Sequence, residues 1–266
     1  MSPETERAAS PHLAVERAGR VAILTFNRPE ARNAMTWEMY DGLYDFCERS
    51  DADPEVRVVV LRGAGDKAFV SGTDIRQFLE FKTREHALDY EQRIGRVFRR
   101  IQAMQKPTIA MVQGDAVGGG MFMSLACDLR LAASHARFGA PVARTLGNSP
   151  APTSVSMLAA TVGPIRAREI LLTARLLDSA EALRLGLVDE VHAPEELEAR
   201  VRELAAHMAT LAPLTLAAAK EATRRILQSY VVRDAEDIVL SCYLSQDFQE
   251  GVRAFLDKRP ASWQGR

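Results

Sequence analysis

The chain reads as an α/β protein with a largely parallel sheet and a helical C-terminal third. Short β-branched runs alternate with helical stretches as far as Pro152, helical periodicity dominates beyond it, and glycine-rich turns stand at two strand ends. Strands that alternate with helices imply right-handed crossovers between parallel neighbours.

Residues 1–12 read as a disordered leader. Leu13–Val15 and Val21–Phe26 flank an Ala18-Gly19 turn and predict a hairpin. Thr36 is placed to cap a helix reaching Ser50, with Met39, Leu43 and Phe46 on one face. Val56–Leu61 is a buried strand, and Asp74 is a cap after the turn that Gly72 sharpens. From Arg84 to Gln105, Ala87, Tyr90, Ile94, Val97, Ile101 and Met104 recur at helical spacing until Lys106-Pro107 ends the run. Thr108–Val112, Leu129–Ala132 and Arg137–Gly139 predict further strands. Helical patterns then cover 153–162, 165–174, 179–185, 195–211, 214–228 and 234–257, with Asp178 and Glu181 as a capping pair and Gly186 as a stop.

With 266 residues, 47% of them hydrophobic, the chain can bury a full core. The net charge of −1 gives no overall field for nucleic acid or anionic lipid, so an anionic ligand must be met locally. Three scattered cysteines, Cys47, Cys127 and Cys242, offer neither a disulfide framework nor metal spacing, and no metal site is expected. The N-terminus lacks an apolar targeting run, and no stretch is long enough to span a bilayer, so a cytoplasmic protein that binds no membrane is expected. His12, His86, His135, His192 and His207 are dispersed and suggest no triad.

Chemistry is suggested by two turns. Pro107–Ala133 runs from a buried strand through Gly118-Gly119-Gly120 into an apolar helix, where a helix start leaves backbone N–H groups unpaired. Ser71-Gly72-Thr73-Asp74 makes a similar offer after the earlier strand. Parallel strands would bring the two turns together, each giving one N–H to a single oxygen, which is the arrangement of an oxyanion hole. The triplet is not a dinucleotide fingerprint, because GxGxxG with a later acidic residue is absent.

Several blocks carry a resemblance: NRPEARNAM, KAFVSGTDI, PTIAMVQGDAVGGG with ACDLRLAA, ARFGAP, LLDSAEALRLGLVDEV and AFLDKRP. In this order they resemble the crotonase superfamily, the enoyl-CoA hydratase/isomerase family, over residues 13 to 260. The resemblance implies a crotonase-like ββα spiral core over 13–195 and a helical C-terminal trimerisation region over 196–266. It implies an acyl-CoA thioester as ligand, coenzyme A being part of the substrate with no further cofactor, and a homotrimer or hexamer. The oxyanion N–H groups fall on Thr73 and Gly119, flanked by Ser71, Gly72, Ile75 and Gly118. Arg32 and Ala34 fall near the adenine, Arg76 beside Asp74 near the CoA phosphates, and Phe255 and Lys258 where they reach a neighbouring subunit's CoA.

The pattern breaks at the acid/base positions. Hydratases of this family carry glutamates where this chain has Phe122 and Val142, and one-glutamate isomerases keep the second of these. Hydration needs a base for water and an acid for carbon, and that pair is missing. Decarboxylation of a malonyl-type CoA demands less, since departing carbon dioxide generates the enolate. Substitutes are sought in Arg144, which could grip a substrate carboxylate, in Thr145 and Asn148, which could orient water, and in Asp115, a carboxylate near the triplet. The competing readings are that Arg144 pairs with an Asp, Asn148 shapes a turn and Asp115 bonds backbone. The chain is expected to be an acyl-CoA enzyme of the hydratase/isomerase type. The alternatives are a decarboxylase or thioester hydrolase using Arg144, and a catalytically inactive CoA-binding subunit.

Overall fold

The computed structural model describes residues 4–6, 10–228 and 235–266. β1 (Glu4–Glu6) pairs antiparallel with β2 (Leu13–Ala18), and β2 with β3 (Val21–Phe26) across a turn where Gly19 takes φ +60°. The expected leader is therefore corrected in part, because Glu4–Glu6 gains a ladder on the edge of β2 and Ser10 is buried. Residues 1–3 and 7–9 of that leader lie outside the described residues.

The next segments repeat one unit, a strand in a large sheet, a strand in a small sheet and a helix. After α1 (Trp37–Ala52), capped by Thr36, come β4 (Val58–Gly63), β5 (Ala68–Val70), a 3-10 segment Ile75–Glu80 and α2 (Arg84–Gln102). Then follow β6 (Thr108–Val112), β7 (Asp115–Val117) and α3 (Gly119–Ala126). The third unit is β8 (Leu129–Ala133), β9 (Arg137–Gly139) and the short α4 (Val142–Thr145). β3, β4, β6 and β8 run parallel in a seven-stranded sheet, while β5, β7 and β9 run parallel in a four-stranded one. The chain therefore winds as a ββα spiral.

Helices and short strands complete it: α5 (Pro152–Val162), α6 (Pro164–Thr173), β10 (Leu177–Asp178), α7 (Ser179–Arg184), β11 (Glu190–His192), α8 (Pro194–Met208), α9 (Pro213–Leu227), α10 (Glu236–Tyr243) and α11 (Gln246–Leu256). Asp178 accepts from the Glu181 N–H at 2.7 Å, as the capping pair predicts. The single helix expected over 234–257 is two, because the chain turns at Leu244 and Ser245 caps the second, accepting from Phe248 N at 3.0 Å. Residue 234 lies outside the described residues.

Both faces of the large sheet are covered, which explains its continuous apolar strands. Val58, Val60 and Ile109 face Leu197, Val201 and Ala205 of α8, while Val59, Leu61 and Ala110 face the main core. α8 thus belongs to the packing of the sheet although it lies at the division expected near residue 195. A separate aromatic cluster, with Phe78, Phe81, Tyr243 and Phe248, fastens α10 and α11 to the 3-10 segment.

Candidate active site

The loop before α1 and the turn after β5 are stitched together by buried polar groups. Asn33, fully buried at φ +56°, donates to the carbonyls of Ala64 and Ala68 at 3.0 and 2.8 Å, and its oxygen accepts from Arg28 N. The Arg28 guanidinium reaches the Ala34 carbonyl and Asp74 Oδ2, both at 2.9 Å. Met35 N donates to the Gly72 carbonyl at 2.8 Å, and Asp74 N to the Met35 carbonyl at 2.9 Å. Those bonds leave the Thr73 N–H, which lies between them, without a partner among the described residues.

The glycine triplet adjoins that turn. Gly118 N donates to the Gly139 carbonyl at 2.8 Å, and Gly118, at φ +57°, turns the chain into α3. A Cβ on Gly72, itself at φ +103°, would stand 3.7 Å from Gly119 N, and one on Gly119 would stand 3.8 Å from Gly72 Cα. A Cβ on Gly120 would run into the Val70 carbonyl, so the helix start presses directly on the end of β5. As the first residue of α3, Gly119 has an N–H with no partner among the described residues.

Comparison with known proteins bears on what these turns belong to. The family model for enoyl-CoA hydratase/isomerase matches residues 16–266. A crotonyl-CoA hydratase from Syntrophomonas wolfei is 36% identical over 95% of this chain and 97% of its own. A short-chain-enoyl-CoA hydratase from Clostridium acetobutylicum is 35% identical over 92% and 94%. A methylmalonyl-CoA decarboxylase complexed with 2S-carboxypropyl-CoA superposes with a TM-score of 0.88 at 30% identity, covering 97% of this chain and 99% of that one.

The chain belongs to the enoyl-CoA hydratase/isomerase family.

Within that family frame, the residues expected around the ligand fall as follows. Ser71, Gly72, Asp74 and Ile75 flank Thr73 on the same turn, and Ser71 N donates to the Arg32 carbonyl at 3.1 Å. Arg32 and Arg76 are exposed, Arg76 lying against Asp74 at 3.2 Å. Burial opposes ionisation of Asp74, but bonds from Arg76 and Arg28 outweigh it and hold the carboxyl below its ordinary range. Ala34 is half-buried in the Asn33 loop, while Phe255 and Lys258 are exposed near the end of α11. Phe122 is buried in α3 beside Met121, and Val142 is half-buried at the start of α4.

The candidate acid/base residues fare differently. Asp115 is corrected as a free base: Arg137 takes both its oxygens, at 2.9 and 2.7 Å. Its expected backbone bonding is replaced by this ion pair. Thr145 is also occupied, its hydroxyl donating to the Pro141 carbonyl at 3.0 Å. Arg144 is exposed and makes no ion pair among the described residues, against the reading that an Asp holds it. Asn148 Nδ2 donates to the Tyr243 hydroxyl at 3.1 Å, and its Oδ1 is buried with no partner among the described residues.

Sequence reasoning missed a set of tyrosines and one glutamate. The Thr73 hydroxyl lies 2.9 Å from the Tyr40 hydroxyl and 3.1 Å from that of Tyr90. Tyr243 donates to Glu91 Oε1 at 3.0 Å, and its ring packs edge-on to Tyr90 with centroids 5.9 Å apart. Burial pushes all three phenols above their ordinary range, so they stay protonated donors. It also pushes the Glu91 carboxyl up to about 7, the Tyr243 hydrogen bond opposing part of the rise. A signal existed in the sequence, since Glu91 stands between Ala87 and Ile94 on the apolar stripe of α2, where a carboxylate needs a reason.

Proposed function

We propose that this chain is an acyl-CoA enzyme that holds the thioester oxygen of its substrate between the N–H groups of Thr73 and Gly119 and so stabilises an enolate. The observation that carries the reading is the contact of Gly72 with Gly119, each turn contributing an N–H that no described residue takes. Such preorganised donors, set away from water, are typically worth ~3 to 4 kcal/mol each when charge develops on the oxygen. Phe122 and Met121 make the adjoining wall of α3 apolar, which suits an acyl chain. Arg32, Ala34 and Arg76 would meet the CoA head. Phe255 and Lys258 would meet the CoA of a neighbouring subunit in a trimer or hexamer, and local cations would offset the near-neutral total charge.

A second reading is decarboxylation of a malonyl-type CoA. It is favoured by the absence of carboxylates at Phe122 and Val142, by Arg144 having no ion pair among the described residues, and by the likeness to methylmalonyl-CoA decarboxylase structures at TM-scores of 0.86 and 0.88. Assaying crotonyl-CoA hydration beside methylmalonyl-CoA decarboxylation separates the two. Under the second reading, Arg144→Ala lowers kcat/KM for the carboxylated substrate by about tenfold or more, the worth of a charge-assisted hydrogen bond. Equal loss on both substrates would remove the assigned role of Arg144. Tight CoA binding with no turnover of either substrate would leave a binding subunit as the reading.

A further inference from the structure

We propose that Glu91 is the proton-exchanging group of this enzyme, passing protons between solvent and the carbon beside the thioester through the hydroxyls of Tyr243 and Tyr90. The inference rests on the enolate reading above and supplies what that chemistry lacks. Hydration and decarboxylation both deliver a proton to that carbon, and the two positions where the resemblance expects carboxylates hold Phe122 and Val142.

The geometry sets three stations in order, the Tyr243 and Tyr90 rings standing edge-on with centroids 5.9 Å apart between the outer and inner ends. At the outer end, Glu91 is among the residues lining an open cavity of about 280 Å³, with Leu88, Arg99, Thr153 and Val239. In the middle, Tyr243 is 2% exposed, and its one proton is directed to Glu91 while it accepts from Asn148. At the inner end, the Tyr90 hydroxyl stands 3.1 Å from that of Thr73, whose N–H belongs to the proposed oxyanion site. Asn148 Oδ1, buried with no partner among the described residues, leaves an acceptor beside Tyr243 that a water or ligand hydroxyl would satisfy.

The surroundings suit proton exchange. Glu91 makes no ion pair among the described residues; the nearby α10 carboxylate, Glu236, is held by Arg84 at 2.8 Å, and Arg99 lines the cavity from the same helix as Glu91. Tyr40 and Tyr90 face the cluster as neutral phenols, joined to Thr73. Burial raises the Glu91 carboxyl to about 7, so both its forms are populated near neutrality, as a shuttle requires. In the deprotonation direction the Cα–H bond breaks, its electron pair moves into the enolate oxygen, and its proton travels through the hydroxyls to the Glu91 carboxylate. After decarboxylation the reverse transfer protonates Cα, with neutral Glu91 becoming the carboxylate. Glu91 acts through the tyrosines and is a relay residue.

Exchange of the α-hydrogens of butyryl-CoA in deuterium oxide, followed by NMR, tests this directly. The wild-type protein is expected to exchange them at a rate that rises with pH through an inflexion near 7. Glu91→Gln, which keeps shape and an acceptor for Tyr243, is expected to slow exchange by about 100-fold and to abolish the inflexion. Butyryl-CoA affinity by calorimetry should remain within about twofold, because the relay does not hold the ligand. Tyr243→Phe, which preserves the ring packing, should slow exchange similarly and serves if the first variant is poorly folded. Wild-type exchange in both variants, an unchanged inflexion, or butyryl-CoA binding without exchange in the wild type would overturn the proposal. Failure of the wild type to bind any CoA thioester would instead overturn the enolate reading.

Discussion

The turns at the head of the spiral and the helix α9 near the end of the chain meet their packing needs in opposite ways. Around Gly72 and Gly120, backbone presses on backbone, and Asn33 and Arg28 lock the loops from behind. α9 has no buried residue, its Leu214 is 83% exposed, and its best-anchored side chain is Lys220, whose ammonium meets Asp128 at 2.6 Å. The first region is specified by contacts inside one chain. The second presents apolar surface in the single chain, which the proposed trimer would cover.

The sharpest test of the first half is Gly120→Ala. A methyl there meets the Val70 carbonyl and can be relieved only by moving α3 away from β5, so about 3 kcal/mol of stability should be lost in urea unfolding. Gly186→Ala, with open space around it, is the contrast: it should cost only the strain of its positive φ of 73°. Equal losses would show that the triplet is not packed as described.

Between these extremes, the seam of α2 with α10 carries a pH dependence. Glu91 of α2 is tied to α10 through Tyr243, and its carboxyl rises from the ordinary 4.5 to about 7 on folding. The folded chain therefore holds more protons than the unfolded one between those values, so this group lowers stability as pH rises across that interval, by roughly 2 kcal/mol. Glu190 works in the opposite sense: hydrogen bonds from Arg200, opposed by partial burial, hold it near 2, and its contribution fades as pH falls below 4.5. Urea unfolding at pH 5 and pH 7.5 should show Glu91→Gln removing most of the fall attributed to the seam. An unchanged difference between the two pH values would mean that Glu91 is well solvated.

How far these regions were legible in the sequence follows from the range of the interactions that set them. β6 falls on Thr108–Val112 as predicted, because a β-branched run buried on both faces is a local signal. Thr36, Asp74 and Asp178 cap as predicted for the same reason, each bond spanning two or three residues. β5 and β7 are legible in the sequence only as parts of turns, since three residues of strand carry no periodicity. The contact of Gly72 with Gly119 was legible in outline, because parallel strands deliver both turns to the same end of the sheet. The pairing of Asp115 with Arg137 and of Glu91 with Tyr243 was not, since each joins residues from separate elements and neither forms a motif. Glu91 alone left a trace, as a charge on an apolar helical stripe.

The smallest effect on the chain itself should come from Leu214→Ser, which probes the second half of the comparison. With 83% of Leu214 exposed, the substitution removes almost no intramolecular packing, and the unfolding free energy of the dissociated chain should stay within about 0.5 kcal/mol. If α9 lies between subunits, as the proposed trimer implies, the same change replaces an interfacial leucine by a hydroxyl in each copy. That should weaken each contact by roughly 1.5 to 3 kcal/mol, and sedimentation velocity over a dilution series would show dissociation at higher protein concentration than in the wild type. An assembly that dissociates as the wild type does would place the interface elsewhere, on α6, where Leu172 is 76% exposed, or on α11, where Phe255 is 50% exposed. In the α11 case, assembly and the proposed reach of Phe255 toward a neighbour's CoA would share one surface, so the two would be lost together in Phe255→Ser.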